Sequence, residues 1–459
     1  MEGKQFLSRV YMTTRSRIHE PFSDLSAKKK RDAFKTHETR LKNKMNEFYL
    51  ICITLALQIC IIPSLAVPEL KLVHVLFAHK LHAPKKNNAK NDPEISIPQN
   101  LSYEYFTSAA TDMSKNAKLN MYNFGVHLRK IYGDFLGDLY FSDIMKMRTT
   151  EYTLSMLSAQ LVNAGLWPPS NSQTWMEGFN WQPIPSDYLE LEDDTLLLGS
   201  LCPNFVSQMD EILRRNETRK MMAQYQPLFD HLSEYTKREI NTPSDVAVLY
   251  AILETMADQS EILPNWAMDV FPDGAMYNVS LLEYDLLSET LLQRQLNGGI
   301  LLEEIIGNSL KYSMGDISKK RKLMLYSGDE RNIVGVLKSL DLWSPHIPNE
   351  AAALIFELYF DNDINLYGMK INYYTGIDDK TISLSLPNCT EICPLQTLID
   401  IAFVTIPQNP QSLCGWSVRN PAETEDQLNR SEESNSTNHN LSKNLIFILI
   451  LLNLKFGNF

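Results

Sequence analysis

The 459-residue chain is expected to fold as an α/β domain, a sheet flanked by helices that carries an α-helical insertion. Three observations lead there. Short apolar runs occur toward both ends of its central region, apolar residues recur at three and four through the middle, and composition excludes the alternatives. With 44% hydrophobic and 10% aromatic residues, 18 Gly and 22 Pro, the chain is too apolar to be disordered and too poor in Gly and Pro to be fibrous. Six Cys are too sparse for a disulfide scaffold.

The elements follow in order. LKLVHVLF (Leu70–Phe77) reads as a buried strand, and RKLMLYS (Arg321–Ser327) as another. LIFELYF (Leu354–Phe360), GMKINYY (Gly368–Tyr374) and KTISLSL (Lys380–Leu386) add strands, the last two joined by a turn containing Gly376. Helical periodicity covers 209–240, 243–259 and 281–312; Pro243 opens the second segment and Gly298-Gly299 is expected to interrupt the third. The helical insertion is placed at about 205–312, inside a domain spanning 67–420. No internal repeat is visible.

Charge is uneven. The chain carries a net −12, yet residues 1–44 hold 12 Lys/Arg against 5 Asp/Glu. A nucleic-acid partner is not expected of so acidic a chain. Residues 1–46 read as a basic extension preceding the apolar stretch FYLICITLALQICIIPSLA within 47–66. That stretch fits either a secretory signal, with translation from Met1 or Met45, or an uncleaved anchor. Either way the chain from Val67 onward is expected in the secretory lumen.

Seven Asn-X-Ser/Thr sequons agree with that compartment: Asn100, Asn216, Asn278, Asn388, Asn429, Asn435 and Asn440. The four cysteines beyond the apolar stretch, Cys202, Cys389, Cys393 and Cys414, suggest two disulfides. The CTEIC spacing could be half a zinc site, but no second ligand pair accompanies it, so a local disulfide is favoured and no metal is expected. Residues 421–443 read as a polar, glycosylated stalk. Residues 444–459 form a hydrophobic tail too short to span comfortably, matching either a lipid-attachment signal or a membrane-embedded tail.

The chemistry is expected at strand ends. His79 and His82 follow the first strand in LFAHKLHAP, and strand carboxyl ends are where α/β sheets place ligand-binding groups. LMLYSGDERNIVGVL (Leu323–Leu337) repeats the shape: strand, turn with Gly328, charged residues, helix. The two loops make a plausible shared pocket, and spacing alone goes no further.

Several stretches then carry a resemblance. KLVHVLFAHKLHAP (Lys71–Pro84) is similar to a motif LVxVxFRHGDRxP, and MRTTEYTLSMLSAQLVNAGLWPP (Met147–Pro169) to RSTDxxRTLxSAxxxLAGLFPP. WQPIP (Trp181–Pro185), LCPNF around Cys202, LMLYSGD and CTEIC are also similar. From about Leu70 to Trp416 the chain resembles the histidine acid phosphatases, especially the prostatic and lysosomal type and their insect secreted relatives. The resemblance implies a mixed sheet flanked by helices with an α-helical cap. It also implies phosphomonoester hydrolysis in acid without metal or cofactor. A histidine attacks phosphorus, arginines hold the phosphate, and an aspartic acid protonates the leaving alkoxide. It further implies the pairings Cys389–Cys393 and Cys202–Cys414.

Carried over residue by residue, most of the pattern is missing. His79 stands at the nucleophile position and Pro84 follows correctly. Ala78 replaces the arginine before it, Lys80 the glycine after it, and Leu81 and His82 the next Asp and Arg. Leu154 stands where a third arginine is expected, and Asp329-Glu330 where a His-Asp pair is expected. Glu330 alone keeps the chemistry, as a proton donor one methylene longer. The expected product is a membrane-tethered, catalytically impaired pseudo-phosphatase acting by binding or recognition. The alternative is a weak acid phosphatase using His79 and Glu330, with a cradle rebuilt from Lys80 and His82. His79, His82, Asp329 and Glu330 are expected to converge under the insertion, with at most Lys80 adding a permanent positive group and His79 protonated beside Asp329. A phosphomonoester or another small ligand is the expected partner, the membrane is reached through the C-terminal tail or the N-terminal segment, and a homodimer is left open.

Overall fold

The computed structural model describes residues 67–80 and 113–416, with Lys44 and Phe48. The basic extension, both apolar terminal stretches, the polar stalk, His82, Asn100, Asn429, Asn435 and Asn440 lie outside the described residues. Among the described residues no helix is long and apolar enough to cross a membrane.

The sheet forms around β1 (Glu69–His79), which is buried from Val73 to His79. A strand covered on both faces needs apolar side chains on both, which is why the run reads as continuous rather than alternating. Parallel to it lies β3 (Leu323–Asp329), and beyond that, also parallel, β2 (Met145–Thr149). On the other side β4 (Ala353–Asp361) runs antiparallel to β1, followed by β5 (Leu366–Tyr374) and β6 (Thr381–Leu384). The order is β2-β3-β1-β4-β5-β6, and the two-residue β7 (Cys393–Pro394) pairs with β5. This is the mixed sheet flanked by helices that the sequence predicts. The turn expected between β5 and β6 is built at Gly376, whose φ of +80° is left-handed.

Two cores cover the sheet. Val73, Val75 and Phe77 face α1 (Lys115–Leu136) and α2 (Thr153–Leu166), with Met121, Phe124 and Val162 packed against them. Leu72, Leu76 and Ala78 face the opposite layer, which includes Leu301 and Ile305. The expected insertion is helical, but its helices divide between two cores. The segment expected at 209–240 is three helices, α3 (Pro203–Arg214), α4 (Asn216–Ala223) and α5 (Gln226–Thr236), the first two separated where Arg215 turns extended and the last two at Gln224 and Tyr225. With α6 (Pro243–Asp258) and α7 (Ala275–Leu286), α5 shares a cap core around Leu232, Leu249 and Val279. Thr242 and Asp245 close α6 with a capping box.

Gly298-Gly299 does not interrupt the third helical segment. After α8 (Leu291–Arg294) the backbone continues through a π-helical stretch, Gln295–Gly299, directly into α9 (Ile300–Met314). A Cβ on Gly298 would lie 2.2 Å from the Gly335 carbonyl oxygen, and one on Gly299 1.8 Å from that of Thr405. The glycines serve close backbone approach, not a break.

Both disulfides are formed, Cys202–Cys414 and Cys389–Cys393. The first joins residues 212 apart and is buried with Phe205, Leu287 and Leu296. Of the sequons, Asn216, Asn278 and Asn388 are described and exposed.

Candidate active site

The end of β1 and the end of β3 meet in register. Ala78 pairs with Gly328 and His79 with Asp329. Both residues are buried, His79 at 3% exposure and Asp329 at 8%. Three of the four residues expected to converge therefore do so; His82 is not described.

Asp329 ends the strand and caps α10 (Glu330–Ser339). Its Oδ1 accepts from the amides of Arg331 at 2.9 Å and Asn332 at 3.2 Å, while its own amide donates to Asn332 Oδ1. An aspartate at this position satisfies otherwise orphan amides and favours the positive helix terminus. Burial nonetheless raises its carboxyl above the usual range, opposed by the Arg331 charge.

Glu330 opens α10 and is 7% exposed. Burial, and then the charge of Asp329, push its carboxyl up to about 8. It is a neutral acid across the acid range, as a proton donor must be. Its Oε2 has no hydrogen-bond partner among the described residues, and it lines a cavity of about 30 Å³.

The cap supplies the rest of the wall. Glu254 on α6 holds Lys80, whose Nζ lies 2.8 and 2.9 Å from the two carboxylate oxygens. The Lys80 amide donates to Glu350 at 3.3 Å. Glu283 on α7 accepts from Arg331 Nη2 at 2.6 Å and from Ser244. Burial raises the Glu283 carboxyl, with Arg331 opposing it. Arg331 corrects the expectation that Lys80 alone would add a permanent positive charge. It lies inside the quoted DERN motif and could have been singled out there. Glu254 and Glu283 sit on cap helices with no motif, and only docking of the cap brings them in.

Two of the positions where the resemblance implies arginines, Ala78 and Leu154, hold apolar side chains. Ala78 is buried in the sheet, and Leu154 is fully buried at the start of α2. The neighbouring Ser155 donates to the Ser327 carbonyl, and Ser327 to that of Ser155, tying α2 to the end of β3. Arg148, the arginine of that segment, is engaged by Asp194 at 2.8 Å in a buried pair. Burial raises the Asp194 carboxyl, and Arg148 opposes the rise.

Among the described residues no group of acidic, His and Cys side chains could hold a metal ion. In the middle of β1, His74 lies between Tyr326 OH, at 3.4 Å, and Ser309 Oγ, at 3.2 Å, and burial drops it to about 3. It is a neutral core histidine.

Relatives place this site in a family. The chain is 33% identical to venom acid phosphatase Acph-1 of Apis mellifera over 348 residues, 75% of this chain and 88% of the relative. It is 29% identical to prostatic acid phosphatase of Rattus norvegicus over 356 residues, 75% and 89% of the two chains. It is 26% identical to human (Homo sapiens) lysosomal acid phosphatase over 385 residues, 82% and 87%. Among solved structures, the phytase of Citrobacter braakii shares the fold, with a TM-score of 0.54 at 14% identity over 76% of this chain and all of that one. The family model described as the histidine phosphatase superfamily (branch 2) matches residues 26–373. With the strand-end histidine, the acid opening the facing helix and the helical cap all in place, the chain belongs to the histidine phosphatase superfamily, branch 2.

Proposed function

We propose that this protein is a histidine acid phosphatase relative that has lost efficient phosphoryl transfer and acts by binding a ligand in the old active-site cleft. The family reaction, phosphomonoester hydrolysis, needs His79 to attack phosphorus while an acid hands its proton to the departing alkoxide; water then releases phosphate from the histidine. His79 and Glu330 keep those two positions. Among the described residues, arginines are missing from the positions that would hold the phosphate.

The observation that carries the reading is the state of the cations. Ala78, Leu154 and Asp329 stand at three phosphate-binding positions, and among the described residues the cations lining the cleft, Lys80 and Arg331, are engaged by Glu254 and Glu283. A hydrogen bond to a charged group is worth about 1.5–3 kcal/mol. Three lost arginine contacts nominally remove about 5–9 kcal/mol, non-additively, on the order of 10³–10⁶ in rate or affinity. A phosphate dianion would also meet the carboxylate of Asp329.

The second reading, a weak acid phosphatase, is favoured by one observation: Glu330 holds its proton up to about 8. Incubating the purified lumenal domain with an aryl phosphate at pH 5 separates the two. Turnover near background, unchanged in His79→Ala, supports the binding protein; turnover abolished by His79→Ala overturns it.

Export through the secretory pathway is part of the proposal, supported by the sequons and by venom and lysosomal relatives. Glycosylation at Asn216, Asn278 and Asn388 is supported by their exposure. The membrane tether through residues 444–459 rests on their composition alone.

A further inference from the structure

Among the described residues, the cleft is lined by several carboxylates, Glu254, Glu283 and Glu330 among them. Glu330 Oε2 is an acceptor more than nine-tenths buried, without a hydrogen-bond partner among the described residues, at the wall of the 30 Å³ cavity. Buried polar atoms in folded proteins are almost always satisfied, and once Glu330 has given up its proton this oxygen calls for an occupant that donates. A cavity of this size admits one small polar group, such as a water or an ammonium.

Charge selects between those. Lys80–Glu254 and Arg331–Glu283 are closed ion pairs. Beyond them, Asp329 accepts from backbone amides, and Asp258 accepts from Ser114 Oγ at 2.8 Å and Asn116 Nδ2 at 3.1 Å, all neutral donors. Among the described residues, an anion entering here meets more carboxylates than cations, whereas a cation relieves that excess. Tyr250 and Tyr284 line the same cavity, and burial raises both phenols, so neutral aromatic rings stand beside the carboxyl.

A second cavity of about 140 Å³ shares Lys80, Ala251 and Glu254 as walls with the first and reaches Asp258, Glu350 and the side chain of Ile377. It offers room for a short alkyl chain and a carboxylate at its far side.

We propose that this cleft binds a short-chain organic diamine, with one ammonium donating to Glu330 and the other directed toward Asp258. The assignment rests on the non-hydrolytic reading of the site and names its ligand class. An ammonium brings three donors and no acceptor, the complement of an unpaired carboxylate oxygen. The proton balance is explicit. Below about pH 8 Glu330 is protonated, so the docking ammonium, itself protonated below about 10.4, displaces the Glu330 proton to solvent. Among the described residues, the charges facing that carboxyl are Lys80 at the end of β1, Glu254 on α6, Glu283 on α7, and Asp329 and Arg331 beside it. The two cations already have carboxylate partners, so the incoming ammonium does not compete with a free base.

The test is calorimetric titration of the folded lumenal protein with 1,4-diaminobutane in two buffers of different ionisation heat. Binding is expected with release of close to one proton per ligand at pH 6.5, and with affinity rising about tenfold per pH unit between 5.5 and 7.5. Glu330→Gln should abolish the proton release and the pH dependence. Absence of binding, binding without proton release, or binding unchanged in Glu330→Gln would each overturn the assignment. The wild-type proton release stands as a test even if the variant fails to fold. Aryl phosphate turnover that depends on His79 would overturn both this assignment and the reading beneath it. A protein that neither turns over the phosphate nor binds the diamine loses the cation assignment alone.

Discussion

His79 and Asp329 are register partners at the carboxyl ends of adjacent parallel strands, and the aspartate is a helix cap, with Oδ1 accepting from two amides of α10. Asp329→Ala should therefore destabilise the domain by about 0.5–2 kcal/mol, and Asp329→Ser should recover most of that. Asp329→Asn should also lower the Glu330 carboxyl, because the second cause of its elevation is gone. Denaturant midpoints and a carboxyl-resolved titration check the two effects.

Stability should plateau between about pH 4.5 and 6.5 and fall on either side. Glu330 rises from 4.5 to about 8 on folding, so the folded state binds its proton more tightly, and stability is lost as pH climbs through that window. His74 drops from 6.5 to about 3, so stability is lost as pH falls through its window. Each is worth about 5 kcal/mol at full extent. The opposite slopes cancel where the windows overlap. Glu283, Asp194 and Asp329, all raised by burial, also lose stability as pH rises from the ordinary carboxylate range, so they tilt that plateau downward toward higher pH. Thermal midpoints against pH should show Glu330→Gln flattening the alkaline limb and His74→Gln the acid limb; a monotonic profile would contradict the assignment.

Removing Glu283 should hurt more than removing the whole Arg331 pair. Glu283→Gln leaves a buried guanidinium without its carboxylate, which typically destabilises by about 3–5 kcal/mol. The double variant Glu283→Leu with Arg331→Met should regain most of that, since apolar side chains of similar volume replace both charges. Urea midpoints of the three variants decide it.

The long-range disulfide should matter in proportion to its loop. Cys202–Cys414 closes a separation of 212 residues, and the chain-entropy argument puts its removal at about 5 kcal/mol. Replacing both cysteines by Ser should lower the denaturant midpoint accordingly, and a loss under 1 kcal/mol would mean that the reduced chain is already held together by packing.

The sequence by itself determined most of the sheet and which residues stand at the ends of β1 and β3. β1 and β3 were legible within two residues because a strand buried on both faces must be apolar along its length, and the strand-end motifs carried His79, Asp329 and Glu330 with them. β2 was not legible. It lies at the end of the strand order, and MKMRT, with Lys146 exposed, has no continuous apolar run. Gly298-Gly299 misled for a similar reason: glycine reads locally as a breaker, and only the backbones of Gly335 and Thr405, pressed against it from elsewhere in the chain, make it a requirement. The charge state of the cleft was decided by tertiary structure alone. Lys80 and Arg331 look available in the sequence, but Glu254 and Glu283 reach them from cap helices whose docking no local pattern encodes. Local propensity and periodicity act over a few residues, whereas an ion pair across a cleft depends on where two separately folded cores come to rest.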